Sequence, residues 1–293
     1  MIKNIISMLT MILFVGTTTI FAQTKEDNKE NKHEVFISGG GGLSTLSYDT
    51  PIGDSESACG FLFGVGYAYK FNKTWSINTG LEITSYNSSM KGSNFSDSYS
   101  ANDGEYDFVF TTNVAGYTES QQALYLNIPI MAQYELVIGN KTGFYVSGGM
   151  KIGIPLVSKY TVDKPTVFNT GYYPDLDVTY DYLNYKGFGT FYPLNEEYDL
   201  DLRLSAMLSL ETGVKWRISE KFNLYTGLYF DYGLTNSQPN ISGHFVNYDV
   251  AEENCFVMNG VLGSEYTDTS TKPLVDKVRP IAFGIKIKMA LPF

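Results

Sequence analysis

The chain has 293 residues, with 31 Asp and Glu against 21 Lys and Arg, a formal charge of −10, and only two cysteines and two histidines. The acidic balance argues against a nucleic-acid binder, which needs a basic face, and so few thiols and imidazoles leave little material for a zinc or iron–sulfur centre, so no cofactor is expected. A hydrophobic fraction of 43% permits a core, while 23 Tyr, 19 Phe and 28 Gly beside 18% charged residues favour aromatic-rich strands over helices.

Met1 to Ala22 carries Lys3, then an apolar run with Ile5, Ile6, Leu9, Ile12, Leu13, Phe14 and Val15, and closes on Ile20-Phe21-Ala22. This is the order of a secretory signal, expected over 1–22. Asn4, Ser7, Thr10 and Thr17 to Thr19 interrupt it too often for an apolar span of roughly 20 residues. Residues 23–33, QTKEDNKENKH, hold no apolar side chain and read as a solvated, disordered periplasmic tail.

From residue 34 onward the sequence alternates between two faces in eight places, the mark of strands whose sides meet different surroundings. Glu34 to Leu46 is the weakest, blurred by Gly39 to Gly42. Gly60 to Lys70 sets Phe61, Phe63, Val65 and Tyr67 against Leu62, Gly64, Gly66, Ala68 and Lys70. Thr74 to Asn87 sets Trp75, Ile77, Leu81 and Ile83 against Ser76, Asn78 and Glu82. Gln122 to Leu136 sets Leu124, Leu126, Ile128 and Ile130 against Tyr125, Asn127, Gln133 and Glu135. Thr142 to Ile154 sets Phe144, Val146, Met150 and Ile152 against Tyr145, Ser147 and Lys151. The pattern returns in Leu204 to Ile218, Phe222 to Leu234 and Arg279 to Phe293.

Tight connections at 71–74, 139–142 and 219–221 alternate with long ones at about 47–59, 88–121, 155–201 and 235–277. Strict alternation puts every long loop at one end of an up-and-down sheet. A soluble lipocalin-type barrel would share that order but turn its apolar face inward. Here the polar face carries Glu82, Glu135, Lys151, Glu211, Lys215, Asp231, Lys286 and Lys288 among small residues, which suits the crowded inside of a narrow barrel and leaves the apolar face to lipid. About ten residues tilted near 45° suffice to cross, and closure satisfies every backbone group. The expected fold is all-β: a closed, antiparallel, up-and-down transmembrane barrel of eight strands over 34–293, with short periplasmic turns and long extracellular loops. A ten-stranded barrel using parts of the third long loop is the alternative.

With the signal ending Phe21-Ala22-Gln23, the strand Tyr125-Leu126-Asn127-Ile128-Pro129-Ile130 and a last strand ending in Phe293, the chain resembles the eight-stranded outer-membrane β-barrel families of Gram-negative bacteria, of the OmpA and PorT-like type. The resemblance implies residence in the cell outer membrane, contact with its lipid, and reading of Ile281 to Phe293 by the barrel assembly machinery as an insertion signal. Pro292, beside the end, departs from the usual pattern.

An eight-stranded barrel is just wide enough inside for side chains to fill. Tyr125, Tyr145, Tyr225 and Tyr229 add bulk to the polar face, and its acids and bases are expected to pair, so a plugged barrel is expected ahead of a small-solute pore. The four long connections hold 22 acidic and six basic residues. In the third, Tyr172, Tyr173, Tyr180, Tyr182 and Tyr185 are candidate contacts for a surface ligand or protein partner, since Tyr offers large area at low entropy cost. The plainer reading is a twisted hairpin beyond the membrane, with Val178 to Tyr182 as cross-strand packing. Asp175 and Asp177, or Glu196, Glu197, Asp199 and Asp201, offer oxygens for a divalent cation but lack EF-hand or RTX spacing, so no metal site is assigned. Cys59 and Cys255 stand in loops that closure makes neighbours, and an exported protein can oxidise them, so a Cys59–Cys255 disulfide is expected. His244, with Ser242 and Asp249 near it in sequence, is the candidate base of a barrel enzyme, but triad geometry does not follow from sequence, and no catalytic residue is assigned. The expected function is that of a non-enzymatic outer-membrane barrel whose acidic, Tyr-rich loops make contacts or protect the surface.

Overall fold

The computed structural model describes residues 32–139, 141–163, 165–193 and 197–293. The expected signal and all but the last two residues of the expected tail lie outside them. Eight long strands form the wall: β1 (His33–Ser47), β2 (Cys59–Lys70), β3 (Trp75–Gly92), β4 (Thr118–Ile138), β5 (Thr142–Asp163), β6 (Ser205–Ser219), β7 (Phe222–Gly233) and β8 (Arg279–Pro292). Each pairs antiparallel with the next in chain order. β8 returns to β1 in continuous register from Glu34↔Pro292 to Ser47↔Arg279. The sheet therefore closes on itself and leaves no edge.

One boundary differs from expectation. His33 belongs to β1 and not to a tail: its N–H and carbonyl pair with Phe293 at 3.4 and 2.9 Å, and its ring lies 5.6 Å from that of Phe293. Backbone pairing with the last residue draws a polar residue into the wall, which composition cannot show. The tight turn after β2 is set by Asn72, whose Oδ1 accepts the N–H groups of Thr74 and Trp75 at 2.9 and 2.8 Å, an Asx turn that replaces backbone partners.

Polarity changes along the strands. The outer face of β4 runs Leu136, Tyr134, Ala132, Ile130, Ile128, Leu126, Leu124 and then becomes Gln122, Ser120, Thr118; that of β5 passes from Phe144, Val146, Met150, Ile152 and Val157 to Lys159, Thr161 and Asp163. The apolar stretch is the wall that meets hydrocarbon, with exposed Phe71, Trp75, Tyr134 and Trp216 toward the turns and Phe61, Phe230 and Phe283 toward the loops as aromatic girdles. Above it the inside turns mostly apolar, with Leu46, Tyr48, Tyr86, Met90, Tyr160 and Val162 buried. The upper part of the barrel is thus built like a water-soluble β-protein.

β4 and β5 are 21 and 22 residues long, about 70 Å at 3.4 Å per residue, well beyond an apolar band ~25 Å tall. Around their tops the long loops fold. Phe95–Asn102, Asp107–Ala115 and Thr166–Tyr173 form a second sheet, to which Val178–Tyr180 and Gly189–Phe191 add by pairing with Thr166–Tyr173. The third loop therefore does fold back as a hairpin that joins the second loop; its Glu197–Asp199 also pairs with Lys159–Thr161 at the top of β5, but it lies outside the closed ring of eight strands, which removes the ten-stranded alternative. The fourth loop supplies Val246–Tyr248 paired with Phe256–Met258. Phe108 sits among the rings of Tyr173, Phe188 and Tyr248 at 5.0, 5.4 and 4.9 Å, in one cluster with Phe245, Val261, Leu262 and Leu274.

Candidate functional site: the lumen and the extracellular cap

All eight side chains expected inside the barrel are buried there. Six form one ladder of alternating sign. Lys288 lies 2.9 Å from Glu211, Glu211 2.7 Å from Lys286, Lys286 2.7 Å from Glu82, Glu82 2.7 Å from Lys151, and Lys151 2.8 Å from Asp231. The Ser209 hydroxyl donates to Asp231 at 2.5 Å and ends the series. Three acids thus meet three bases, and buried ions persist only when paired in this way. The Lys288 ammonium also stands over the rings of Phe36, Tyr145 and Tyr225 at 5.2, 5.5 and 5.6 Å, a favourable contact for a desolvated cation.

A second cluster lies nearer the turns. Glu135 accepts from Lys215 at 2.8 Å and Arg217 at 3.0 Å. Glu34 forms an ion pair with Lys70 at 2.8 Å and accepts from Tyr225 at 3.0 Å and Asn223 at 3.2 Å. Glu34, Lys70 and Arg217 were not among the expected site residues. Lys70 and Arg217 stand on the polar faces, and Glu34 shares its face with Ser38, so the signal was the period-two pattern carried to the strand ends.

Little room remains. Gaps of about 20 Å³ beside Phe36, Glu82 and Lys286 and about 10 Å³ beside Glu34 and Gln133 are lumen spaces on the scale of a single water. Phe36 fits because Gly66 faces it: a Cβ there would stand 2.3 Å from the ring.

The family model of the outer membrane protein beta-barrel domain matches residues 21–239. The chain belongs to this family. It is an outer-membrane protein, with its apolar wall in lipid and its long loops outside the cell. Among solved structures it is similar to neisserial surface protein A, at 12% identity over 89% of this chain and 97% of that one, with a TM-score of 0.34. It is also similar to Ail, the attachment invasion locus protein of Yersinia pestis, in complex with the heparin analogue sucrose octasulfate, at 11% identity, 89% and 98% coverage and a TM-score of 0.29. The translocator domain of the autotransporter NalP from Neisseria meningitidis follows at 8% identity, 91% and 90% coverage and 0.23. No curated protein matches.

In this outer-membrane protein three polar ties hold the cap together. His244 Nδ1 lies 2.9 Å from Asp97, its ring stacks on Tyr99 at 3.6 Å, and Asp97 accepts the N–H of Thr267 at 2.9 Å. This fastens the fourth loop to the second. The partner of His244 is Asp97 and not Asp249, which instead accepts from the N–H of Ala251. Asp103 accepts from Lys186 at 2.8 Å and Tyr173 at 2.9 Å, fastening the third loop to the second. Burial raises the Asp103 carboxyl, but these donors and the Tyr106 N–H carry it well below its ordinary value. Glu119, fully buried at the top of β4, accepts from the Tyr117 hydroxyl, from Gln121 at 2.6 Å and from the N–H of Val261 at 2.9 Å. Burial lifts its carboxyl above the ordinary 4.5 despite those donors.

The five candidate contact tyrosines separate. Tyr173 is buried in the cap core and is no surface contact, Tyr180 is half-buried, and Tyr172 donates to Asp177 at 3.1 Å. Tyr182 and Tyr185 are 69% and 71% exposed, and Tyr192 joins them at 72%. Asp177 and Glu197 are engaged, the latter with Lys159, and Glu196 lies outside the described residues. Among the described residues no group of His, Cys, Asp and Glu could hold a metal ion.

The expected disulfide is not made: Cys59 and Cys255 are free thiols. Cys59 is exposed on the outer face of β2 opposite Leu43. The Cys255 thiol instead donates to the Tyr185 carbonyl at 3.3 Å. Neighbouring loops on the ring do not bring the two sulfurs together, because the cap folds the fourth loop against the third. Phe293 ends the chain at the turn end of the wall against His33, with half its surface exposed.

Proposed function

We propose that this outer-membrane barrel is a non-enzymatic surface protein that presents Tyr182, Tyr185 and Tyr192 to a ligand or protein outside the cell. The observation that carries the reading is a contrast: these three tyrosines are each more than two-thirds exposed, whereas Tyr106, Phe168 and Tyr172 show less than half of their surface and Phe108, Phe110, Tyr173, Phe188 and Phe245 are packed in the cap core. Tyr on a rigid support pays little ordering entropy when it binds. The filled lumen supports a plugged wall over a pore. His244, engaged by Asp97 and Tyr99, acts as a structural anchor of the cap and not as a base. The proposed partners are the membrane lipid, the barrel assembly machinery acting on the strand that ends at Phe293, and this surface ligand.

The test uses purified protein on glycan and peptide arrays, with a Tyr182→Ser, Tyr185→Ser, Tyr192→Ser variant alongside. Binding that the variant loses while its cap stays protease-resistant supports the reading; blank arrays for both proteins overturn it. In planar bilayers the wild-type protein is expected to give no steady openings, and stable single-channel conductance would establish the pore instead.

A further inference from the structure

The inner face of the cap sheet is mostly apolar, but one polar row crosses it. Phe95–Asn102, Asp107–Ala115 and Thr166–Tyr173 pair so that Asp97 stands opposite Thr112, and Thr112 opposite Asn169. All three side chains are buried, the last two completely. On one side of them runs the row Tyr99, Phe110 and Gly171, with the Phe188 ring filling the space over Gly171; on the other runs Phe95, Val114 and Val167. Both flanking rows touch the fourth loop. The Tyr99 hydroxyl donates to the Val246 carbonyl at 3.0 Å, and the Phe95 ring lies 5.5 Å from that of Phe245. The polar row is therefore shut in beneath that loop.

Asp97 is engaged at both oxygens, by His244 and by the N–H groups of Ser98 and Thr267. Its two neighbours are not. Thr112 Oγ1 and both Nδ2 and Oδ1 of Asn169 find no partner in the protein, and among the described residues Asn169 is the one side chain with both ends so placed. Buried polar groups persist when they are hydrogen-bonded, and leaving one unpaired costs its full desolvation penalty. An apolar side chain at either position would continue the face and remove that cost. The two residues therefore point to a partner that is not part of the chain.

We propose that Thr112 and Asn169 hold a resident water molecule that bridges the second and third loops inside the cap. The unpaired atoms choose the class of ligand. Asn169 offers two N–H donors and an accepting oxygen, and Thr112 a hydroxyl that does either. A cation would suit the oxygens and be repelled by the amide N–H groups, and an anion would do the reverse. A water molecule both gives and accepts, and makes about three such bonds when buried. Side chains opposite each other on paired strands stand about 5 Å apart at Cβ, a span that one water closes with two bonds of about 2.9 Å. The bridge carries across the sheet the tie that Asp97 and His244 make at its other end. The water leaves only when the fourth loop lifts, so its lifetime is set by opening of the cap.

The test uses the full chain in detergent micelles, isotope-labelled so that the Asn169 Nδ2 protons are assigned through bonds to the backbone of residue 169. Magnetic cross-relaxation between those protons and water is then measured. The expected result is a cross-peak with the sign of a bound, slowly exchanging water. Asn169 protons without that cross-peak overturn the proposal, and if they shift on titration with sodium or calcium chloride the pair belongs to a cation instead. Thr112→Val gives a second, independent reading. Where the hydroxyl holds water, its loss opens the cap more often, and protease nicks residues 93–117 about three- to tenfold faster. Where the hydroxyl is unpaired, its removal relieves a cost, and nicking that is unchanged or slower overturns the proposal.

Discussion

Lys286 on β8 meets Glu82 on β3 at 2.7 Å, across the lumen from a strand three places away around the ring. The pair joins two stretches of ladder, Lys288–Glu211–Lys286 and Glu82–Lys151–Asp231, into one neutral line. Charges that would each be costly in a low-dielectric lumen are tolerable as this set, and the set fills the space a solute would need.

Glu82→Ala removes one carboxylate from between two lysines. Lys151 keeps Asp231 and Lys286 keeps Glu211, but the ladder is left with an excess positive charge. Stability is expected to fall by about 3–5 kcal/mol, read from urea unfolding in lipid vesicles. A loss below about 1 kcal/mol would mean that water reaches the ladder and screens it.

Glu119 makes the cap sensitive to pH. Its folded value is raised above 4.5 by burial, so the folded cap binds a proton more tightly than the unfolded chain does. The stabilisation is therefore complete below about pH 4.5 and is lost as pH rises through the raised folded value. Near-UV circular dichroism of cap unfolding, followed from pH 4 upward, should show this decline. In Glu119→Gln this component should vanish; an unchanged slope would assign it to another group.

Phe108→Ala removes a ring that touches three others at the centre of the cap. A loss of about 3–5 kcal/mol is expected, confined to the loops. Limited proteolysis should nick residues 93–117 and 235–277 while the wall stays intact, because the cap has its own core and can open alone. Simultaneous loss of the barrel would show one cooperative unit.

Both thiols should react with maleimide without prior reduction. Cys59 is exposed and should label first; Cys255 is half-buried, and burial pushes its thiol up from the ordinary value, which lowers its thiolate fraction. A non-reducing gel shift that disappears with reductant would restore the disulfide.

Alternation of period two determined the eight strands, their inner and outer faces and the eight interior charges, because a barrel wall separates two solvents and each strand must carry both preferences along its length. What tertiary structure alone decided lies in side chains from strands and loops distant in sequence: Lys286 facing Glu82, His244 facing Asp97, Cys255 facing Tyr185 and not Cys59, Tyr173 inside the cap while Tyr182 stays out. Period reports which side of a strand a residue takes. Which partner waits on that side depends on ring closure and loop folding, and these follow from the whole chain packing at once.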